Sequence, residues 1–327
     1  MRLSALGLIL VLAILAVLLP PLAQPPRRVP TIGWLYRGFP PSEVQLRQSP
    51  LWQAMHELGW VEGQNITVER RYAEGHNERL RVLATELVQR PVDIILAVGP
   101  QEARAAKAAS DTIPIVFMDW GDPVRAGAVA SLAHPGGNMT GMSTVSPELI
   151  GKRLELLTEA APGISRVAVL TNSDVNYLIQ EMTHTAQQLG VTLYPINVPA
   201  ADQLDHVVAA LMTARAEALL VLPAPLFGLH IPRVVELAAT SRLPTIYPGR
   251  NYVAAGGLMS YGPNRTDVQR HVATYVDKIL KGTKPGELPV EQPMRFELVI
   301  NLKTVKELGL TIPPTMRMLA DEVIRED

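Results

Sequence analysis

Residues 113–124 read Ile113-Pro114-Ile115-Val116-Phe117-Met118-Asp119-Trp120-Gly121-Asp122-Pro123-Val124. A short apolar run ends abruptly in an acidic, aromatic loop carrying Gly121 and Pro123, the pattern of a buried strand feeding a loop at its carboxyl end. In open α/β sheets ligands sit beyond the carboxyl ends of parallel strands, because the loops converge there while the strands are buried. Trp120 and Asp122 fall in that space. Taken alone, the stretch reads most simply as an ordinary strand-to-helix turn, with Asp122-Pro123 opening the next helix and Trp120 capping the core. Repetition shifts the reading, since comparable loops follow residues 32–36, 93–98, 167–170 and 218–222. Several strand ends can then line one cleft.

The chain has 327 residues, long for one core, and a prior of about 150 residues per domain suggests two. Hydrophobic residues make up 47% and charged ones 19%, enough apolar material for buried sheets and too much for disorder. A formal net charge of -1, with no run of Lys or Arg, gives no electrostatic footprint for nucleic acid. The absence of cysteine excludes disulfides, thiolate metal sites, a cysteine nucleophile and a lipid-modified N-terminal cysteine.

Residues 1–23 read as a secretory signal: Arg2 is followed by an almost wholly apolar run from Leu3 to Leu19, stopped by Pro20-Pro21. The run is shorter than the ~20 residues that span a bilayer comfortably. Cleavage near Ala23 is the expectation, with an uncleaved anchor as the alternative, because Pro21-Leu22-Ala23 matches a cleavage site poorly. In a bacterium the destination is the periplasm.

From Thr31 strand and helix alternate with short turns, which argues for right-handed βαβ units around parallel sheets. Leu80, Leu83, Ala84, Leu87 and Val88 recur at helical spacing behind Asn77 as N-cap. Another stripe, Val268, Val272, Tyr275, Val276 and Ile279, is stopped by Gly282. The strand candidates are too many for one mononucleotide-binding sheet, so the fold class is α/β with two Rossmann-like lobes. One boundary is expected at residues 138–146, where Ser146-Pro147-Glu148 opens a fresh helix, and a second at residues 253–262 with its Gly256-Gly257 pair. Residues 281–293, punctuated by Gly282, Pro285, Gly286, Pro289 and Pro293, offer a third crossing.

Enzyme signatures are missing: the chain has no nucleophile elbow, Walker A loop, zinc-protease helix or dinucleotide fingerprint, and its seven histidines are scattered without metal-ligand spacing. The carboxylates Asp119 and Asp122 share a loop, where solvation and capping are commoner roles than acid/base work. No catalytic residue, metal ligand or cofactor is assigned.

Ile113-Pro114-Ile115-Val116-Phe117, Gly121-Asp122-Pro123-Val124 and His134-Pro135-Gly136-Gly137-Asn138-Met139-Thr140-Gly141 together resemble the ABC-transporter substrate-binding protein family of the tryptophan/tyrosine type. Leu258-Met259-Ser260-Tyr261-Gly262, Leu288-Pro289-Val290-Glu291-Gln292-Pro293 and Phe296-Glu297-Leu298-Val299-Ile300-Asn301-Leu302-Lys303-Thr304 extend the resemblance over residues 31–327. It implies a type I periplasmic binding protein: two α/β lobes joined by a three-crossing hinge, closing on a small solute, and serving an ABC permease and its ATPase. Membrane contact is then only through the permease or a retained signal anchor. The resemblance implies one lobe of residues 31–143 plus 258–284 and a second of 144–257 plus 285–327. An enzyme or an anchored sensor module on the same fold is the alternative. Where that family often reads Gly-x-Thr-Pro-Ala after the third strand, this chain has Gly99-Pro100-Gln101-Glu102-Ala103.

Helix starts near Gln101 and Asp174 present unpaired N–H groups suited to a carboxylate. Asp122 suits an ammonium. Tyr36, Trp120, Phe227 and Tyr261 are the candidate aromatic walls, and Asn172, Asn176 and Arg250 the directional hydrogen-bonders, with Pro100, Pro123 and Pro225 on the same loops.

Overall fold

The computed structural model describes residues 28–144, 147–173 and 175–325; the expected export signal lies outside the described residues. Strands β1 (Thr31–Tyr36), β2 (Thr67–Tyr72), β3 (Ile94–Val98), β4 (Ile115–Trp120) and β5 (Met139–Ser143) form a wholly parallel sheet ordered β2-β1-β3-β4-β5. A second sheet contains β6 (Arg166–Thr171), β7 (Thr192–Asn197), β8 (Ala218–Val221), β9 (Thr245–Tyr247), β10 (Met259–Pro263), β11 (Phe296–Asn301) and β12 (Glu322–Ile324). Its order is β12-β11-β10-β9-β8-β6-β7, so β7-β6-β8-β9-β10 repeats the arrangement of the first sheet. The β10–β11 pair is antiparallel. In each repeat the strand order reverses around the first strand, the switch point where doubly wound sheets open a crevice.

The central strands are apolar because helices cover both faces. In β3, Ile94 and Leu96 join one core beneath Leu51, Met55, Val272 and Val276, while Ile95 and Ala97 point into the other with Leu83, Leu87, Ala103 and Ala106. The period of two thus divides one strand between two cores. The helical stripe at Leu80, Leu83, Ala84 and Leu87 is buried as its spacing demands. Its helix starts at Leu80, because Asn77–Arg79 winds as a 3₁₀ turn and Asn77 does not cap it.

The strand at residues 259–263, expected in the first lobe, hydrogen-bonds to β9 and β11 of the second sheet. Spacing identifies a strand but not its neighbours, and Leu258 and Met259 find their burial in the second core. The return to the first sheet begins at Asn264, whose side chain accepts the Asp267 N–H at 3.0 Å and caps the helix Arg265–Leu280. Residues 285–291, expected in the second lobe, also stay on the first sheet: Leu288 and Val290 enter its cores, and the Glu291 N–H donates to the Gly141 carbonyl. The chain then rejoins the second sheet at β11. Among the described residues no helix is long and apolar enough to cross a membrane.

Candidate functional site

A cavity of about 640 Å³ lies between the two sheets, walled by the loops at their carboxyl ends. From the first sheet come Tyr36 and Arg37 after β1, Gly99, Pro100 and Glu102 after β3, Asp119 to Asp122 at the end of β4, and Thr144 after β5. The second sheet supplies Ser173 and Tyr177 after β6, Pro223 to Pro225 after β8, Pro248 and Gly249 after β9, and Pro263 with Arg265 after β10. Each strand delivers its residues by ending there.

Of the expected site residues, Tyr36, Pro100, Trp120, Asp122 and Pro225 border this cavity. Tyr36 packs edge-on against Tyr72 with ring centroids 6.5 Å apart. Trp120 is buried edge-on against Phe117, with the Arg104 guanidinium over its ring at 5.4 Å. Asp122 borders the space, but its Oδ1 accepts the Arg125 N–H at 2.8 Å and so caps the turn. The other expected residues do not line the cavity. Phe227 is fully buried in the second core, because the first turn of its short helix turns inward. Arg250 is held outside by an ion pair with Glu322 at 2.5 Å. Tyr261 lies against Phe296, with centroids 5.9 Å apart. Pro123 and Asn172 are buried behind the wall, Asn176 is exposed, and Gln101 sits half-buried in the first helical turn beside Pro100.

Of the charged residues that face the cavity, only Asp122 belongs to the expected set. Glu102 is fully buried on the helix Pro100–Ala109, and its Oε1 accepts the Arg37 N–H at 3.1 Å. Its Oε2 is buried without a hydrogen bond. Burial pushes this carboxyl up to about 7, against the opposing pull of Arg37. Gly99 makes room for it: with φ +130, a Cβ there would lie 2.7 Å from Oε2. On the opposite wall Arg153 is 1% exposed on the helix Pro147–Ala160. Its Nε donates to the Tyr261 carbonyl at 2.6 Å and an Nη to the Pro248 carbonyl at 3.3 Å. Its other terminal nitrogen, Nη1, is buried without a partner. No carboxylate pairs with it among the described residues, and burial brings its pKa down to about 9.

Two further contacts border the cavity. Asp119 sits at φ +59, a conformation L residues avoid, where the pairing of β4 with β5 shifts register. It meets Arg265 at 2.6 Å, and this carboxylate is the chief reason the Arg265 pKa is raised. Arg125, from the loop after β4, lies 4.6 Å over the ring of Tyr177 from the other lobe. Burial, reinforced by the charge of Asp122, raises the Tyr177 pKa. Among the described residues no cluster of His, Asp or Glu could hold a metal ion.

The family model described as ABC transporter substrate binding protein matches residues 43–324. The chain belongs to that family. A tyrosine-binding protein of Clostridioides difficile (strain R20291) is 27% identical over 261 residues, covering 79% of this chain and 75% of the relative. Among solved structures, a conserved domain protein from Vibrio cholerae superposes with a TM-score of 0.83 at 25% identity, over 90% of this chain and 100% of the other. An ABC domain in complex with L-Trp from Streptococcus pneumonia gives 0.83 at 26% identity, over 90% and 99%. This substrate-binding protein therefore has the type I periplasmic binding protein fold and works as the solute-capturing component of an ABC transporter.

Proposed function

We propose that the chain is exported by its N-terminal signal, encloses one small solute, an amino acid or related compound, between its two lobes, and presents the closed form to an ABC permease. The observation that carries this reading is the cavity itself, walled by both sheets and of a size typical of small-molecule sites, about 300–1,000 Å³. Contacts from both walls bind a solute more tightly when the lobes approach, so the solute shifts the population toward the closed state. The likeness to a tyrosine-binding protein and to an L-Trp complex supports an amino acid as cargo. No covalent step is needed. Native mass spectrometry of freshly purified protein, followed by calorimetry with whatever copurifies, tests the proposal; turnover of the bound compound, or failure to bind anything in a broad metabolite panel, contradicts it.

A further inference from the structure

Among the described residues Glu102 and Arg153 are the most deeply buried charged side chains that border the cavity, and they stand on opposite lobes. Each leaves one buried polar atom without a hydrogen bond, Oε2 of the glutamate and Nη1 of the arginine. Such an atom is costly, more so when charged, and persists where something offsets it. Structural roles do not use up either group. One Glu102 oxygen is engaged by the Arg37 N–H, and the two Arg153 bonds end on the neutral carbonyls of Pro248 and Tyr261, leaving its charge without a counterion among the described residues. Elsewhere around the cavity Asp119 pairs with Arg265, Asp122 accepts the Arg125 N–H through Oδ1, Arg104 and Arg125 lie over the Trp120 and Tyr177 rings, and the Arg37 charge acts on Glu102.

We propose that Glu102 and Arg153 read the opposite charges of a zwitterionic solute, the first lobe taking its cationic group on Glu102 and the second its anionic group on Arg153. The assignment rests on the reading that the cavity holds a small solute, and adds which residues select it and by what chemistry. Placing one reader on each lobe makes the solute itself the bridge. A zwitterion then favours closure, whereas a compound lacking either charge leaves one buried ion without its partner.

The test takes the tightest-binding member of a panel of the twenty protein amino acids and compares it by calorimetry with its decarboxylated amine and its deaminated acid. Wild type should lose about ten- to a hundred-fold in affinity with either analogue, the scale of one charge-assisted hydrogen bond. Glu102→Gln should erase the preference for the amino acid over the deaminated acid while keeping the preference over the amine. Arg153→Met should do the reverse. Arg153→Lys, which keeps the charge, should retain part of the preference over the amine, and it serves where the methionine variant does not fold. Either variant keeping both preferences overturns the proposal. So does a wild-type protein that binds none of the twenty, and if another solute nevertheless copurifies with it, cleft capture stands while the charge readers fall.

Discussion

Replacing Glu102 by Gln separates a carboxylate held for a ligand from one held for the fold. The carboxyl ionises at about 7 in the folded chain against 4.5 in the unfolded one, because burial outweighs the favourable field of Arg37. The charged groups acting on it are Arg37 after β1 and Asp119 at the end of β4, and Asp119 is itself paired with Arg265. Below pH 4.5 both states carry the proton and the group costs nothing. Between pH 4.5 and 7 the native state keeps a proton that the unfolded state has released, so stability falls as pH rises and levels off above 7. At 1.36 kcal/mol per pKa unit the full cost is about 3 kcal/mol. Glutamine has the same shape and never ionises. Glu102→Gln should therefore match wild type at pH 4.5 and exceed it by about 3 kcal/mol at pH 8, read as a shift of the urea midpoint at unchanged slope. An equal effect at both pH values, or a variant less stable at pH 8, refutes the reasoning. The gain in stability should accompany the loss of binding, the trade expected where a strained group serves function.

Other perturbations address neighbouring contacts. Because Asp122 caps its turn through the Arg125 N–H, Asp122→Ala should lower stability by about 1 kcal/mol while Asp122→Asn changes it by a few tenths, as thermal melts will show. Arg125→Ala removes a cation–π contact between the lobes and should weaken solute affinity by about 0.5–2 kcal/mol with little change in melting temperature, which calorimetry reads directly. Gly262→Ala would place a Cβ 2.1 Å from the Pro248 carbonyl oxygen, the same carbonyl that binds Arg153. Forcing that oxygen away should cost about 1–3 kcal/mol and impair solute binding together, an outcome that urea denaturation and calorimetry on one preparation will reveal.

The alternation of apolar runs and helical stripes was enough to read two parallel-sheet lobes, and Trp120 and Asp122 do stand where a strand end meets the cavity. Strand membership was not legible: Leu258 and Met259 look alike whichever core receives them, and only the pairing of β10 with β9 and β11 decides. The aromatic candidates divided on the same point. Phe227 and Tyr261 are apolar enough to be drawn into packing, and the sequence does not reveal which way a ring on a short helix or a strand turns. The buried charges did leave a trace in the sequence. Glu102 lies on the stripe of Ala103 and Ala106, and Arg153 on that of Ile150, Leu154 and Leu157, so each is a charge on an apolar helix face. Asp119 left none, since a positive φ at a non-glycine residue is imposed by the register shift between β4 and β5.

Small-angle X-ray scattering, with calorimetry establishing saturation, tests cleft capture most directly. Addition of the copurifying solute should contract the particle to a single compact form, and Glu102→Gln and Arg153→Met should need correspondingly more solute to reach it. A radius of gyration unchanged at proven saturation would contradict closure of the two lobes on their cargo.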